Sequence, residues 1–203
     1  MSNLIACHGC DLLVDVGGLE DGCRADCPRC GHFLTRYKND AMERILAFSI
    51  AALILLIVAL AFPFLSFSSS GIESVMTLAA APGSLWRYDM HSLGVMVAIF
   101  IIVMPAILLL LLVSIALPLL MGRPAPWLRL ALRAVSTFHP WAMVEVFIIG
   151  VIVSLVKIAA MATVVLGISF WAYTAFSIVF TLAMANLDRY QCWELIDRLE
   201  SPA

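Results

Sequence analysis

Apolar and polar positions separate along this chain into one mixed block followed by long apolar runs. No charge falls between Ile45 and Ile72, and Ile45–Leu65 alone would make about 31 Å of α-helix, enough to cross about 30 Å of hydrocarbon. Pro63 suits a helix that ends at the far interface. A second uncharged run covers Ser92–Met121. At about 45 Å it is longer than the hydrocarbon is thick, so it must tilt, kink or project. Pro105 is the expected kink and Pro118 the expected end. Trp141–Leu187 is too long for one span, and Gly167-Ile168-Ser169 supplies the turn that divides it. The pattern predicts an all-α integral membrane protein. Four transmembrane helices, over 45–65, 92–121, 141–166 and 169–187, fall within a domain covering 41–190.

Two polar stretches separate these runs. Ser66–His91 holds Glu73, Arg87 and Asp89 with Trp86 and Tyr88, and reads as an interfacial loop (66–91) whose aromatics lie at headgroup depth. After Arg123-Pro124-Ala125-Pro126, Arg129, Arg133 and Ser136 share one helical face while Leu128, Ala131, Leu132 and Val135 share the other. That periodicity predicts a short helix in the membrane plane, over 124–138. The tail, 191–203, is polar, with Trp193 and Leu195 placed to lie on the membrane surface.

Composition agrees with a bilayer environment. The 203 residues are 63% hydrophobic and 13% charged, against about 25% charged in soluble domains. Charge is also unevenly placed. Residues 1–44 hold five Lys/Arg and seven Asp/Glu, whereas Ile45–Leu187 holds eight charges in all. The first apolar run follows an acidic, cysteine-bearing segment rather than a short basic one, so no cleavable signal peptide is expected. Basic residues cluster before the first helix (Arg36, Lys38, Arg44), between the second and third (Arg123, Arg129, Arg133) and after the fourth (Arg189, Arg198). With four spans these clusters share one side, which predicts cytoplasmic N- and C-termini and a periplasmic 66–91 loop.

The mixed block carries the clearest chemistry. Cys7-His-Gly-Cys10 and Cys27-Pro-Arg-Cys30 are two CxxC turns, each able to offer two thiolates to one tetrahedral ion. Gly31 suits the backbone of such a turn. About forty residues bury little core, so a metal would contribute much of their folding free energy. Residues 1–40 are therefore expected to form a small cytoplasmic zinc-ribbon domain with a structural Zn2+ on Cys7, Cys10, Cys27 and Cys30. A catalytic zinc needs an open position and a nearby general base, which the segment does not offer, and no enzymatic activity is expected. A redox role for the thiolates is the competing reading. His8 and His32 read as exposed neighbours, and Cys23 and Cys192 are left over.

Glu145 and Lys157 fall within the predicted third helix, where ionisable groups are costly and commonly functional. Twelve residues separate them, about 18 Å along the axis and roughly 120° around it, so they cannot pair. Glu145 is either solvated near the interface or part of a polar pathway. Lys157 either snorkels to the far headgroups or lines a cavity with Gly150, Ser154 and Met161, which share its stripe. An inward amine would bind an anion, carry a proton or meet a carboxylate of another chain.

Several strings together resemble the paraquat-inducible protein A (LetA/PqiA-like) family of Gram-negative inner-membrane proteins. They are Cys7-His-Gly-Cys10-Asp-Leu-Leu-Val, Cys27-Pro-Arg-Cys30-Gly, Trp141-Ala-Met-Val-Glu145-Val-Phe-Ile-Ile-Gly150, Leu155-Val-Lys157-Ile and Asp188-Arg-Tyr-Gln-Cys-Trp193. The resemblance implies an inner-membrane subunit that loads or unloads phospholipid-like molecules for a periplasmic MCE-domain protein tunnel, with proton coupling and Lys157 as the intramembrane charge. The best-known members carry two such modules in tandem, whereas this chain shows one. The implied partners are therefore an MCE-domain protein, membrane lipids and a second half-module, as a homo- or heterodimer; nucleic acid is not among them. No Gly-x-x-x-x-Gly-Lys-Ser/Thr loop is present to power transport by nucleotide hydrolysis. The alternative is a non-transporting anchor or stress-response scaffold whose cysteine module docks a cytoplasmic partner.

Overall fold

The computed structural model describes residues 4–17, 22–36, 40–69, 72–123, 125–139, 144–159 and 163–200. The chain opens with two antiparallel hairpins, β1 (Leu4–Ala6) with β2 (Leu13–Asp15), and β3 (Arg24–Asp26) with β4 (Phe33–Arg36). The helix α1 (Ala41–Ala61) follows, and Pro63 ends it by starting the strand β5 (Pro63–Ser69). Next come β6 (Ile72–Thr77) and the helices α2 (Ala80–Arg87) and α3 (His91–Ala98). A π-helical turn, Ile99–Val103, joins α3 to α4 (Met104–Leu120) just before Pro105. Pro118 lies inside α4 rather than ending it. The remaining elements are α5 (Leu128–Phe138), α6 (Val144–Ala159), β7 (Thr163–Leu166), α7 (Ile168–Ala185) and α8 (Arg189–Glu200).

The core is a helical bundle in which α1 packs chiefly on α7 and then on α4. Ala52 and Ala59 of α1, Ala116 of α4 and Ala183 of α7 are fully buried, and such small residues let helix backbones approach closely. Leu108, Leu112, Tyr173 and Phe176 fill the space between them. The hydroxyl of Ser169, at the start of α7, donates to the carbonyl of Ala59, at the end of α1, so the two helices run antiparallel. The apolar face Leu128, Ala131, Leu132 and Val135 of α5 is buried, and Arg129 reaches Asp197 of α8 at 2.8 Å.

Among the described residues, three helical stretches, not four, are long and apolar enough to cross a membrane: Ala41–Ala61, His91–Leu120 and Ile168–Ala185. The expected span 141–166 is instead α6, sixteen residues and about 24 Å, followed by a strand. The reason is local. Thr163-Val164-Val165 is a β-branched run, and it pairs antiparallel with β5 in a three-stranded sheet ordered β6-β5-β7. Trp141 and Met161 lie outside the described residues. The expected 66–91 loop folds into the β5–β6 hairpin and α2, with only its last residue, His91, in α3. The charge count that set both ends on the cytoplasmic side required four spans and lapses with the fourth.

The self-standing cytoplasmic ribbon is also corrected. A discrete cytoplasmic domain is not shown: the hairpins are tied to the bundle where Thr35 of β4, only 3% exposed, donates its hydroxyl to Asp188. That carboxylate also accepts the Tyr190 amide, at 2.9 Å, and so caps the start of α8. The hairpins, α5 and α8 thus meet at one end of the bundle, and the sheet lies at the other.

Candidate metal centre and membrane groove

Two equivalent turns twenty residues apart build the cysteine site. In the first, the amide of Asp11 donates to the carbonyl of Cys7 at 2.9 Å and the amide of Cys7 donates to the carbonyl of Leu12 at 3.0 Å. In the second, Gly31 and Cys27 make the same bond at 2.9 Å, and Cys27 and His32 the other at 2.8 Å. Asp11 and Gly31 hold matching left-handed positions, at φ 55° and 69°. Only glycine adopts that conformation without cost, and aspartate is among the residues that tolerate it.

The turns bring the four thiols together across the hairpins. Cys7 Sγ lies 3.5 Å from Cys30 Sγ, Cys10 Sγ lies 3.6 Å from Cys27 Sγ, and all four sulfurs fall within 4.8 Å of one another. A disulfide requires about 2.05 Å, so these are separate thiols. Sulfurs held about 2.3 Å from a central zinc at tetrahedral angles stand about 3.8 Å apart, close to the spacing found. The residues therefore fit a four-thiolate metal ion. His8 and His32 do not join the cluster, Cys23 is exposed outside it, and Cys192 is buried in α8. Burial, then the Asp188 charge, pushes the Cys192 thiol up to about 12.

Without metal, Cys10, Cys27 and Cys30 hold their protons unequally. Burial works against the Cys27 thiolate. The amides of Cys30 and Arg29, with the thiols of Cys10 and Cys30, outweigh it and bring Cys27 down to about 6. At Cys30 the His32 amide favours the thiolate, but the Cys7 contact, burial and the other two thiols push it up to about 12. Cys10 is also raised: burial and the Cys27 and Cys7 thiols outweigh the Leu12 amide. A thiolate-binding cation resolves this competition by taking the place of the shared protons.

The α6 residues fall differently from their common stripe. Gly150 and Ser154 line an apolar groove of about 360 Å³ between α6 and β5, walled by Phe64, Leu65, Phe147, Val151 and Leu155. The Ser154 hydroxyl is turned back onto the Gly150 carbonyl at 2.8 Å, which leaves the groove without a free donor there. A Cβ added at Gly150 would meet nothing within 4 Å, so the glycine is open floor. Lys157 lies one turn beyond Ser154, exposed and outside the groove lining. Glu145 sits in the first turn of α6, and its side chain lies outside the described residues. Phe64 and Leu65 were absent from the sequence-derived site. The alternation Phe62, Phe64, Ser66 against Pro63, Leu65, Phe67 does not separate apolar from polar cleanly, and only the β7 partner makes it a strand.

The model of the family described as "Paraquat-inducible protein A" matches residues 42–197, from the start of α1 into α8. The chain belongs to the paraquat-inducible protein A family. The family match covers the bundle, the sheet and α5, and leaves the cysteine hairpins outside it. Among curated relatives, "Intermembrane transport protein PqiA" of Escherichia coli (strain K12) is 34% identical over 94% of this chain and 45% of its own length. "Lipophilic envelope-spanning tunnel protein A" of the same organism is 24% identical over 93% of the chain and 43% of its length. A "Probable intermembrane transport protein" of Haemophilus influenzae is 24% identical over 94% and 45%. The chain thus spans just under half the length of the curated relatives it matches. No solved structure matches it. With three spanning helices, this family member is a multi-pass membrane protein carrying a cysteine cluster able to hold a metal ion.

Proposed function

We propose that the chain is the membrane module of a lipid-transport system in the bacterial inner membrane. It passes phospholipid-like molecules between that membrane and a periplasmic MCE-domain tunnel. The observation that carries this reading is the groove between β5 and α6. It is apolar, it opens beside the exposed α6 face of Val146, Ile149, Val153 and Val156, and it lies one helical turn from a lysine. An acyl chain in the groove trades lipid contacts for protein contacts at little cost, and the Lys157 ammonium suits a phosphate. The relatives' names, which speak of intermembrane transport and an envelope-spanning tunnel, support the same class of cargo. The four thiols hold Zn2+ as a fold-stabilising ion, and the hairpin end faces the cytoplasm, where thiols stay reduced. A second module of the same kind, from another copy or another chain, works beside this one.

The test pairs two variants in cells lacking the native gene. Gly150→Leu fills the groove, and Lys157→Ala removes the charge. Both should retain metal content and elution volume while failing to complement an envelope defect and co-purifying several-fold less phospholipid. Full complementation by both would favour a membrane anchor whose hairpins recruit a cytoplasmic partner.

A further inference from the structure

We infer that α5 is a lipid-binding helix of the membrane interface, which holds anionic phospholipids of the surrounding bilayer on a face that the bundle leaves open. At about 100° per residue, its side chains fall on three faces. Leu128, Ala131, Leu132 and Val135 are buried against the bundle. Arg129 and Arg133 turn to α8, where Arg129 meets Asp197 at 2.8 Å and the Arg133 guanidinium lies 5.8 Å from the Trp193 ring centre. Trp127, at the N-cap, joins Leu130, Ala134 and Phe138 in the third face, centred roughly 100° round the axis from the buried one. Leu130 is 71% exposed, and Trp127 and Phe138 are exposed beside it. The sequence periodicity picks out the apolar face that the bundle takes. This second one makes α5 apolar over about 200° of its circumference.

Position and charge name the occupant. Leu120 ends one spanning stretch and Ala185 another, and α5 is tied to both: it packs on α4 and bonds α8, which starts at Arg189. Phospholipid headgroups and the upper parts of their chains lie where spanning helices end, so an apolar face held there meets lipid. A tryptophan at its edge suits that depth. Met121–His139 holds three arginines and no aspartate or glutamate. Asp197 answers Arg129, and no ion pair among the described residues engages Arg123 or Arg133. An aromatic ring over a guanidinium takes one flat side and leaves the N–H edge, which is the part that donates to a phosphate oxygen. Two arginines bordering an apolar face therefore favour a headgroup of net negative charge over a zwitterionic one.

The experiment uses the full-length, metal-loaded protein with Trp127 as its single tryptophan (Trp86→Phe, Trp141→Phe, Trp171→Phe and Trp193→Phe), in nanodiscs of phosphatidylcholine and phosphatidylglycerol in equal parts. Bromine, which quenches tryptophan on contact, is carried on the acyl chains of one lipid or of the other. Trp127 should be quenched in both discs, and more strongly when phosphatidylglycerol carries the bromine. The relative affinity should be at least about fivefold, as expected for one arginine at an anionic surface. Raising the salt, or combining Arg123→Gln with Arg133→Gln, should abolish that preference while quenching persists. Quenching of Trp127 by aqueous acrylamide but by neither lipid would place the face in water and overturn the assignment. Protection from both would overturn it in favour of a protein partner, and equal quenching by the two brominated lipids would overturn the anionic site. Gly150→Leu, which fills the groove, should leave every signal unchanged, so failure at either site is read separately from failure at the other.

Discussion

The hydroxyl of Tyr173, buried in α7, donates to the carbonyl oxygen of Ile101 across 3.4 Å. Ile101 lies four residues before Pro105, whose ring nitrogen has no hydrogen for the helical bond that carbonyl would otherwise accept. Hydrocarbon offers no water in its place, so a side chain from a neighbouring helix supplies the donor. The proline, the π turn and the tyrosine form one local arrangement.

Tyr173→Phe should therefore destabilise the bundle by about 1 kcal/mol. Pro105→Ala restores an amide within reach of Ile101, so the same tyrosine substitution should cost less in that background. Thermal unfolding of the four proteins in detergent measures the cycle, and strictly additive losses would show that the two sites do not share the carbonyl.

Gly167 ends β7 and precedes α7, with its amide bonded to Phe64 at 3.0 Å. A Cβ there would overlap the backbone carbonyl of Pro63, which a side-chain rotation cannot relieve. Gly167→Ala should cost about 3 kcal/mol or prevent accumulation of folded protein. Gly150→Ala, in open space on α6, should be neutral or stabilising by roughly 0.5–1 kcal/mol. Equal behaviour of the two in a melting assay would refute the close approach at Pro63.

The thiols set a pH dependence of definite sign. Cys27 falls from its ordinary 9.0 to about 6, so its contribution to the metal-free fold is complete above 9 and is lost as pH falls through about 6. Cys30 rises to about 12, so its contribution is complete below 9 and is lost as pH climbs through about 12. Because Cys27 is already a thiolate at pH 7.5, zinc uptake should release fewer than four protons per ion, which calorimetry in buffers of different ionisation enthalpy will count. Zinc affinity should weaken as pH falls, because protons compete with the ion for the thiolates, and Cys27→Ser should abolish tight binding.

Thr35→Val should loosen the hairpins from the bundle without unfolding the helices. Loss of one bond to a carboxylate, about 1–2 kcal/mol, raises the open fraction at least about fivefold. Protease cleavage within residues 4–36 should accelerate accordingly, while cleavage between α4 and α5 stays unchanged.

Long apolar runs made α1, the His91–Leu120 stretch and α7 legible, because hydropathy and length are summed over many residues. The periodicity of Leu128, Ala131, Leu132 and Val135 likewise pointed to the buried face of α5. The two CxxC turns were equally plain, since ligand spacing is local. Short strands were not. Val164 and Val165 are as apolar as the helix before them, and only pairing with Phe67 and Ser66 distinguishes strand from helix there. Treating those four residues as helical produced a fourth span. It also placed Lys157 inside a membrane-spanning helix, although it sits two residues from the last residue of α6. The groove was hidden for the same reason, because Phe64 and Leu65 meet α6 only once β5 is a strand.

The matched turns at Asp11 and Gly31 carry a consequence for how this end of the molecule is assembled. Each hairpin closes on itself through bonds of short sequence separation, on a timescale of about 1–10 μs. Each CxxC turn places only two sulfurs, and the closest sulfur contacts all cross between turns. Ion capture is then the step that converts two quickly formed local pieces into one long-range contact. The rate of reaching the finished state should follow the supply of metal rather than the intrinsic speed of the chain.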